Sequence, residues 1–99
     1  MITRVVKMHF KEEHLPSFFR MFEQVKEKIR NQPGCLDLEM LQNKNSKGMV
    51  FTYSHWESEN DLNAYRHTEM FGVVWKETKS YFEGKPEAWT LESLYKLPA

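Results

Sequence analysis

The chain contains one cysteine, Cys35, so no disulfide can close within it. One thiol also cannot build a cysteine-based zinc site or an iron–sulfur cluster. Its four glycines stand singly, which removes the glycine-rich loop that cradles phosphates and argues against a nucleotide cofactor. Neither sign of charge is in excess: 14 basic and 14 acidic side chains cancel, leaving no global field to attract nucleic acid or an anionic membrane. No stretch approaches the roughly 20 apolar residues that cross a bilayer, and the opening MITRVVKMHFKEEH has no apolar segment with a small-residue cleavage site. His9, His14, His55 and His67 never fall at the H-x-x-x-H or H-E-x-x-H spacings that place two imidazoles on one helix face, so no metal site is expected. Together these absences predict a soluble, cytoplasmic protein that binds no nucleic acid and no membrane and uses no cofactor.

What is present is apolar and aromatic. With 99 residues, 40% hydrophobic and 14% aromatic, the chain has the length of one domain, residues 1–99, and enough large side chains for a packed core. From Ile2 to Phe10 apolar and polar residues mostly alternate, with Val5 out of step, which reads as a strand buried on one face. Leu15, Phe18, Phe19, Phe22, Val25 and Ile29 then recur at helical spacing, with Pro16 in the first turn and Pro33-Gly34 as the stop. Cys35–Leu41 and Met49–Trp56 are two strand-like runs joined by NKNSKG, a polar connection of hairpin length. Ser58 with Asp61 three residues on marks a helix start, and Thr68 marks a second cap where the helical region bends before running to about Phe82. Gly84 and Pro86 end it, and Ala88–Leu97 reads as a last strand with a bulge.

The order βαββαβ predicts an α+β, ferredoxin-like fold with a four-stranded antiparallel sheet and both helices on one face. The other face is left open and apolar, and the simplest cover is a second copy about a two-fold axis, hence a homodimer. Chemistry concentrates in aromatic residues of the second half. Phe71 and Phe82 suit a core, whereas Tyr65 and Trp75 carry polar handles and, with Arg66, can line a cleft for a flat aromatic molecule. Tyr53 and Trp56 join that candidate wall. His9 and His55 are the candidate proton acceptors if the strand register brings them to the cleft; otherwise they are hydrogen-bonded surface or interface histidines. Cys35 reads as a small buried hydrophobe, and the charged residues of the first helix as its solvated side.

Three segments carry a family resemblance: Pro33-Gly34-Cys35 followed by Leu38-Glu39, Tyr53-Ser54-His55-Trp56-Glu57-Ser58, and Leu62 to Phe71. The chain is similar to the antibiotic biosynthesis monooxygenase (ABM) family of small dimeric α+β barrel proteins. That resemblance implies a ferredoxin-like protomer whose sheet closes a barrel with its partner's. It also implies oxidation of a phenol or hydroquinone-type aromatic by molecular oxygen without metal or flavin, since the substrate itself supplies the electrons. His55, Tyr65 and His9 are then the candidate catalytic residues, and Trp56, Arg66, Trp75, Phe71 and Tyr53 the candidate substrate-binding ones. Haem-degrading members carry a Trp nine residues beyond the turn tryptophan and a ligating His ten further. Counting from Trp56 lands on Tyr65 and Trp75, and an indole offers iron no lone pair. They also carry an Asn on the first strand, where this chain has Val6-Lys7. The second function class is a non-enzymatic dimeric barrel that binds a small apolar molecule. Histidines facing the cleft beside Tyr65 favour proton transfer, and histidines outside it favour binding alone.

Overall fold

The computed structural model describes residues 1–98. Strand β1 (Ile2–His9) leads through a single 3-10 turn to helix α1 (Leu15–Arg30), followed by β2 (Cys35–Gln42), β3 (Met49–Trp56), α2 (Glu59–Arg66), α3 (Glu69–Lys79) and β4 (Glu87–Leu91). The sheet is antiparallel throughout, in the order β2-β3-β1-β4. This is the expected α+β ferredoxin-like topology.

The period-two alternation of strands decides what each face of this sheet carries. Arg4, Val6, Met8 and Phe10 share the helix-covered face with Leu38, Met40, Val50, Thr52, Ser54, Trp56 and Ala88. Val5, Lys7 and His9 share the open face with Phe51, Tyr53, His55, Trp89 and Leu91. Val5 therefore does not break the register: apolar residues occupy both faces, and Val5 belongs to the uncovered one. In α1, Leu15, Phe18 and Ile29 are buried, whereas Phe19, one residue and about 100° round from Phe18, is exposed and lies off the stripe assigned to it.

The last strand is shorter than the pattern Ala88–Leu97 suggests. β4 pairs only with β1, from Lys7↔Glu87 to Thr3↔Leu91, and β1 starts at Ile2, so the backbone of residues 94–98 has no strand to pair with. Leu94, Tyr95 and Leu97 are 84%, 94% and 87% exposed. Their slipped alternation marks the end of the strand and not a bulge within it. The second helical region likewise stops at Lys79, before Phe82, whose backbone bridges to Phe10.

Gly34 closes α1 into β2 with a φ of 82°, a conformation that costs a side-chain-bearing residue roughly 1–2 kcal/mol. A Cβ there would also collide with the side chain of Asp61, while the Gly34 carbonyl accepts from the Glu57 N–H at 2.8 Å. Gly34→Ala should therefore cost about 2–3 kcal/mol of unfolding free energy, measured by urea titration. A loss within about 0.5 kcal/mol, the size of an ordinary surface change, would show that this turn is not held as described.

Candidate functional site

The buried core falls into two clusters. Met8, Phe10, Leu15, Phe18 and Val50 form one, and Cys35, Trp56 and Leu62 form the other. Between helices and sheet, bordered by members of both, lies a cavity of about 270 Å³. An apolar cavity of about 150 Å³ accepts one benzene, so this volume suits one or two fused rings.

One wall is built from the helix pair. Trp56 and Tyr65 stack with ring centroids 5.2 Å apart, Tyr65 meets Phe71 edge-on at 5.1 Å, and Phe71 stacks on Trp75 at 6.2 Å. The wall takes this shape because of two caps legible in the sequence. The Ser58 hydroxyl accepts from the Asp61 N–H at 3.1 Å and starts α2. The Thr68 hydroxyl donates to the Tyr65 carbonyl at 2.7 Å, closing α2, and accepts from the Phe71 N–H at 3.1 Å, opening α3. The facing wall is the sheet, with Arg4, Val6, Met8, Leu38, Thr52 and Ser54; α1 contributes Phe18, Met21, Phe22 and Ile29. The Trp56 indole N–H is satisfied by the Ser54 hydroxyl at 3.0 Å, so it is not free to meet a ligand.

Five of the eight predicted site residues come together here: Trp56, Tyr65, Arg66, Phe71 and Trp75 line the cavity. His55, His9 and Tyr53 do not. They lie on the open face of the sheet, where the His55 ring nitrogen Nδ1 is 2.8 Å from an Asp37 carboxylate oxygen and the Tyr53 ring packs edge-on against the imidazole. The sequence held the signal for this split. His55 and Trp56 are adjacent in one strand, so they cannot share a face.

The same alternation identifies a residue that the aromatic pattern passed over. Arg4 occupies the parity of Val6, Met8 and Phe10, which puts a guanidinium on the covered face, where its Nη1 donates to the Thr90 hydroxyl at 2.9 Å. Burial, and then the charge of Arg66, lower the pKa of Arg4. It remains a cation, since a guanidinium keeps its delocalised charge in proteins. Tyr65 is shifted the other way. Desolvation, with a smaller contribution from Cys35, pushes its phenol up to about 12. It is therefore a neutral hydrogen-bond donor throughout the physiological range. Burial likewise raises the Cys35 thiol, which keeps it protonated and inert.

The chemistry of the site follows from that inventory. Among the described residues the cavity lining includes no Asp, Glu or His; its titratable groups are Arg4, Arg66 and Tyr65. Nor do three His, Cys, Asp or Glu side chains among the described residues converge to hold a metal ion. Among the described residues no helix is long and apolar enough to cross a membrane. The cavity can stack a flat molecule, donate a hydrogen bond and stabilise negative charge.

The family model for antibiotic biosynthesis monooxygenase, ABM, matches residues 1–76. No curated protein matches the chain in sequence. Among solved structures, an antibiotic biosynthesis monooxygenase superposes with a TM-score of 0.89 at 16% identity, covering 96% of this chain and 100% of its own. A mutant of SnoaB, a cofactor-independent oxygenase from Streptomyces nogalater, gives 0.87 at 13%, covering 99% and 97%. A conserved protein from Methanosarcina mazei Go1 gives 0.85 at 19%, covering 91% and 90%. At these identities the likeness is one of fold.

Proposed function

The chain belongs to the antibiotic biosynthesis monooxygenase family, and from that premise we propose that it is a cofactor-independent monooxygenase that oxidises a small phenolic or hydroquinone-type aromatic to a quinone with molecular oxygen. The observation that carries this reading is the cavity itself, an aromatic slot in which two guanidiniums and a neutral phenol face the ligand with no carboxylate to offset them. SnoaB, of the same fold, is a cofactor-independent oxygenase.

Such a reaction needs the substrate as an anion, because a phenolate gives up electrons to oxygen far more readily than a phenol. The positive potential of Arg4 and Arg66 at a largely apolar slot lowers the substrate's pKa, and the Tyr65 hydroxyl donates a hydrogen bond to the phenolate oxygen. Among the described residues no imidazole or carboxylate lines the cavity, so the proton leaves to water at the mouth. Stacking against Trp75 and Phe71 fixes the ring. A phenol loses its hydroxyl hydrogen and one ring hydrogen, one atom of O₂ becomes the second carbonyl, and the other leaves as water. A hydroquinone loses both hydroxyl hydrogens, gains one atom of O₂ as a ring hydroxyl, and the other atom leaves as water. All the electrons come from the substrate.

The same lack of a proton acceptor favours the second reading, a dimeric protein that holds an aromatic molecule without changing it. Oxygen uptake by metal-stripped protein against hydroquinones, naphthols and anthrones, with autoxidation subtracted, separates the two. Enzyme-dependent uptake with one O₂ per substrate is expected. No uptake across the panel, while the same compounds still raise the melting temperature, would sink the enzyme reading and leave the binding one.

We further propose that two copies pair through the open sheet face, where Val5, Phe51, Tyr53, Trp89 and Leu91 form an apolar surface that a monomer leaves to water. Light scattering should give twice the chain mass of 11.9 kDa. A mass of one chain rejects the dimer and the barrel with it.

A further inference from the structure

The cavity's charge is not balanced by a phenolate alone. Arg4 and Arg66 both line it, and Arg66 is close enough to depress the pKa of Arg4. A negative group bound between the two cations would relieve their repulsion. Neither guanidinium forms an ion pair, since the ion pairs among the described residues are Lys7–Glu87, Lys26–Glu23 and His55–Asp37. Arg4 is half-buried, and its one side-chain partner is a neutral hydroxyl, that of Thr90. Arg66 is exposed, so it stands where the cavity meets solvent. One ionised phenol answers one of the two charges. The other is left over.

We infer that the ligand carries a second negative group, and that this cavity selects a small aromatic hydroxy acid, one or two rings bearing both a phenol and a carboxylate. The carboxylate lies between Arg4 and Arg66, and the phenol reaches Tyr65. A guanidinium presents parallel N–H donors at the spacing of carboxylate oxygens, so an arginine pair with no acid of its own matches that group in shape and sign. The cavity volume of about 270 Å³ limits the hydrocarbon to about two fused rings. The inference rests on the cavity being the ligand site, as argued above, but not on the reaction with oxygen.

Calorimetric titration tests it with three probes of one size class: 6-hydroxy-2-naphthoate, 6-hydroxy-2-naphthamide and 2-naphthol. The naphthoate should bind about tenfold or more tightly than the amide, and added salt should weaken the naphthoate more than the amide. Arg4→Gln and Arg66→Gln should each remove about a factor of ten from naphthoate affinity and a clearly smaller factor from that of the amide, which keeps only the phenol for the arginines to act on. Arg66 is exposed, so R66Q remains readable if R4Q disturbs the sheet. Equal affinity for acid and amide, with 2-naphthol still bound, overturns the hydroxy-acid assignment and leaves the cavity as the ligand site. Loss of all three ligands in wild type overturns both.

Discussion

Replacing Trp56 with alanine is expected to lower the unfolding free energy by about 3–5 kcal/mol, with the denaturant midpoint falling and the slope unchanged. Trp56 is 1% exposed and among the largest fully buried side chains of the domain. Its strand neighbours are Ile2 on one side and Cys35 on the other, and its ring carries Tyr65. Removing the indole deletes the centre of the smaller core cluster, with Cys35 and Leu62 left around a void that opens into the existing cavity. The Ser54 hydroxyl that accepted the indole N–H borders the same cavity, so water can satisfy it. The cost is therefore mostly lost packing and not an orphaned polar group. Domains of this size have about 5–15 kcal/mol in all, so the variant sits near the edge of folding. A loss under about 1.5 kcal/mol, the range of a volume-conserving core swap, would show that the cluster collapses onto the gap and does not support the wall.

Tyr65→Phe is expected to behave in the opposite way, sparing the fold and lowering turnover about a hundredfold, the usual cost of one donor to a developing oxyanion. Tyr65 lines the cavity, and burial, then Cys35, raise its phenol's pKa, so it meets a ligand as a neutral donor. The loss should fall on kcat more than on KM, because the bond matters most when charge sits on the substrate oxygen. The pH behaviour follows from the same shift. An ordinary tyrosine ionises near pH 10, whereas Tyr65 in the folded protein ionises at about 12. The folded state thus holds this proton longer than the unfolded chain. Stability falls as pH rises through that interval, and the phenylalanine variant should lose part of the fall. Unchanged turnover in the variant would take the hydroxyl out of the mechanism.

The elements themselves were legible, and for local reasons. The stripe from Leu15 to Ile29, the stop at Pro33-Gly34 and the hydroxyl caps at Ser58 and Thr68 each act within one or two turns of chain, so neighbouring residues suffice to read them. The end of β4 is different. It is set by where β1 begins, a fact about a partner strand that the run from Ala88 to Leu97 does not contain. The site was half legible. The aromatic members Trp56, Tyr65, Phe71 and Trp75 stand out by composition, but composition has no parity, and parity decides membership in a sheet. It removes His9, Tyr53 and His55 from the cavity and adds Arg4. A charged residue in the apolar phase of a strand is the signal to look for, and here it leads directly to the electrostatic character of the site.

The joint at Thr68 has an evolutionary consequence. One hydroxyl ends α2 and begins α3, and so sets the angle between Tyr65 and the pair Phe71 and Trp75, yet Thr68 does not itself border the cavity. The gauge of the slot is thus held by a residue its occupant never meets. A lineage that needs to admit a broader ring system can reset that joint while every residue of the wall is kept, which separates how wide the site is from what it is made of.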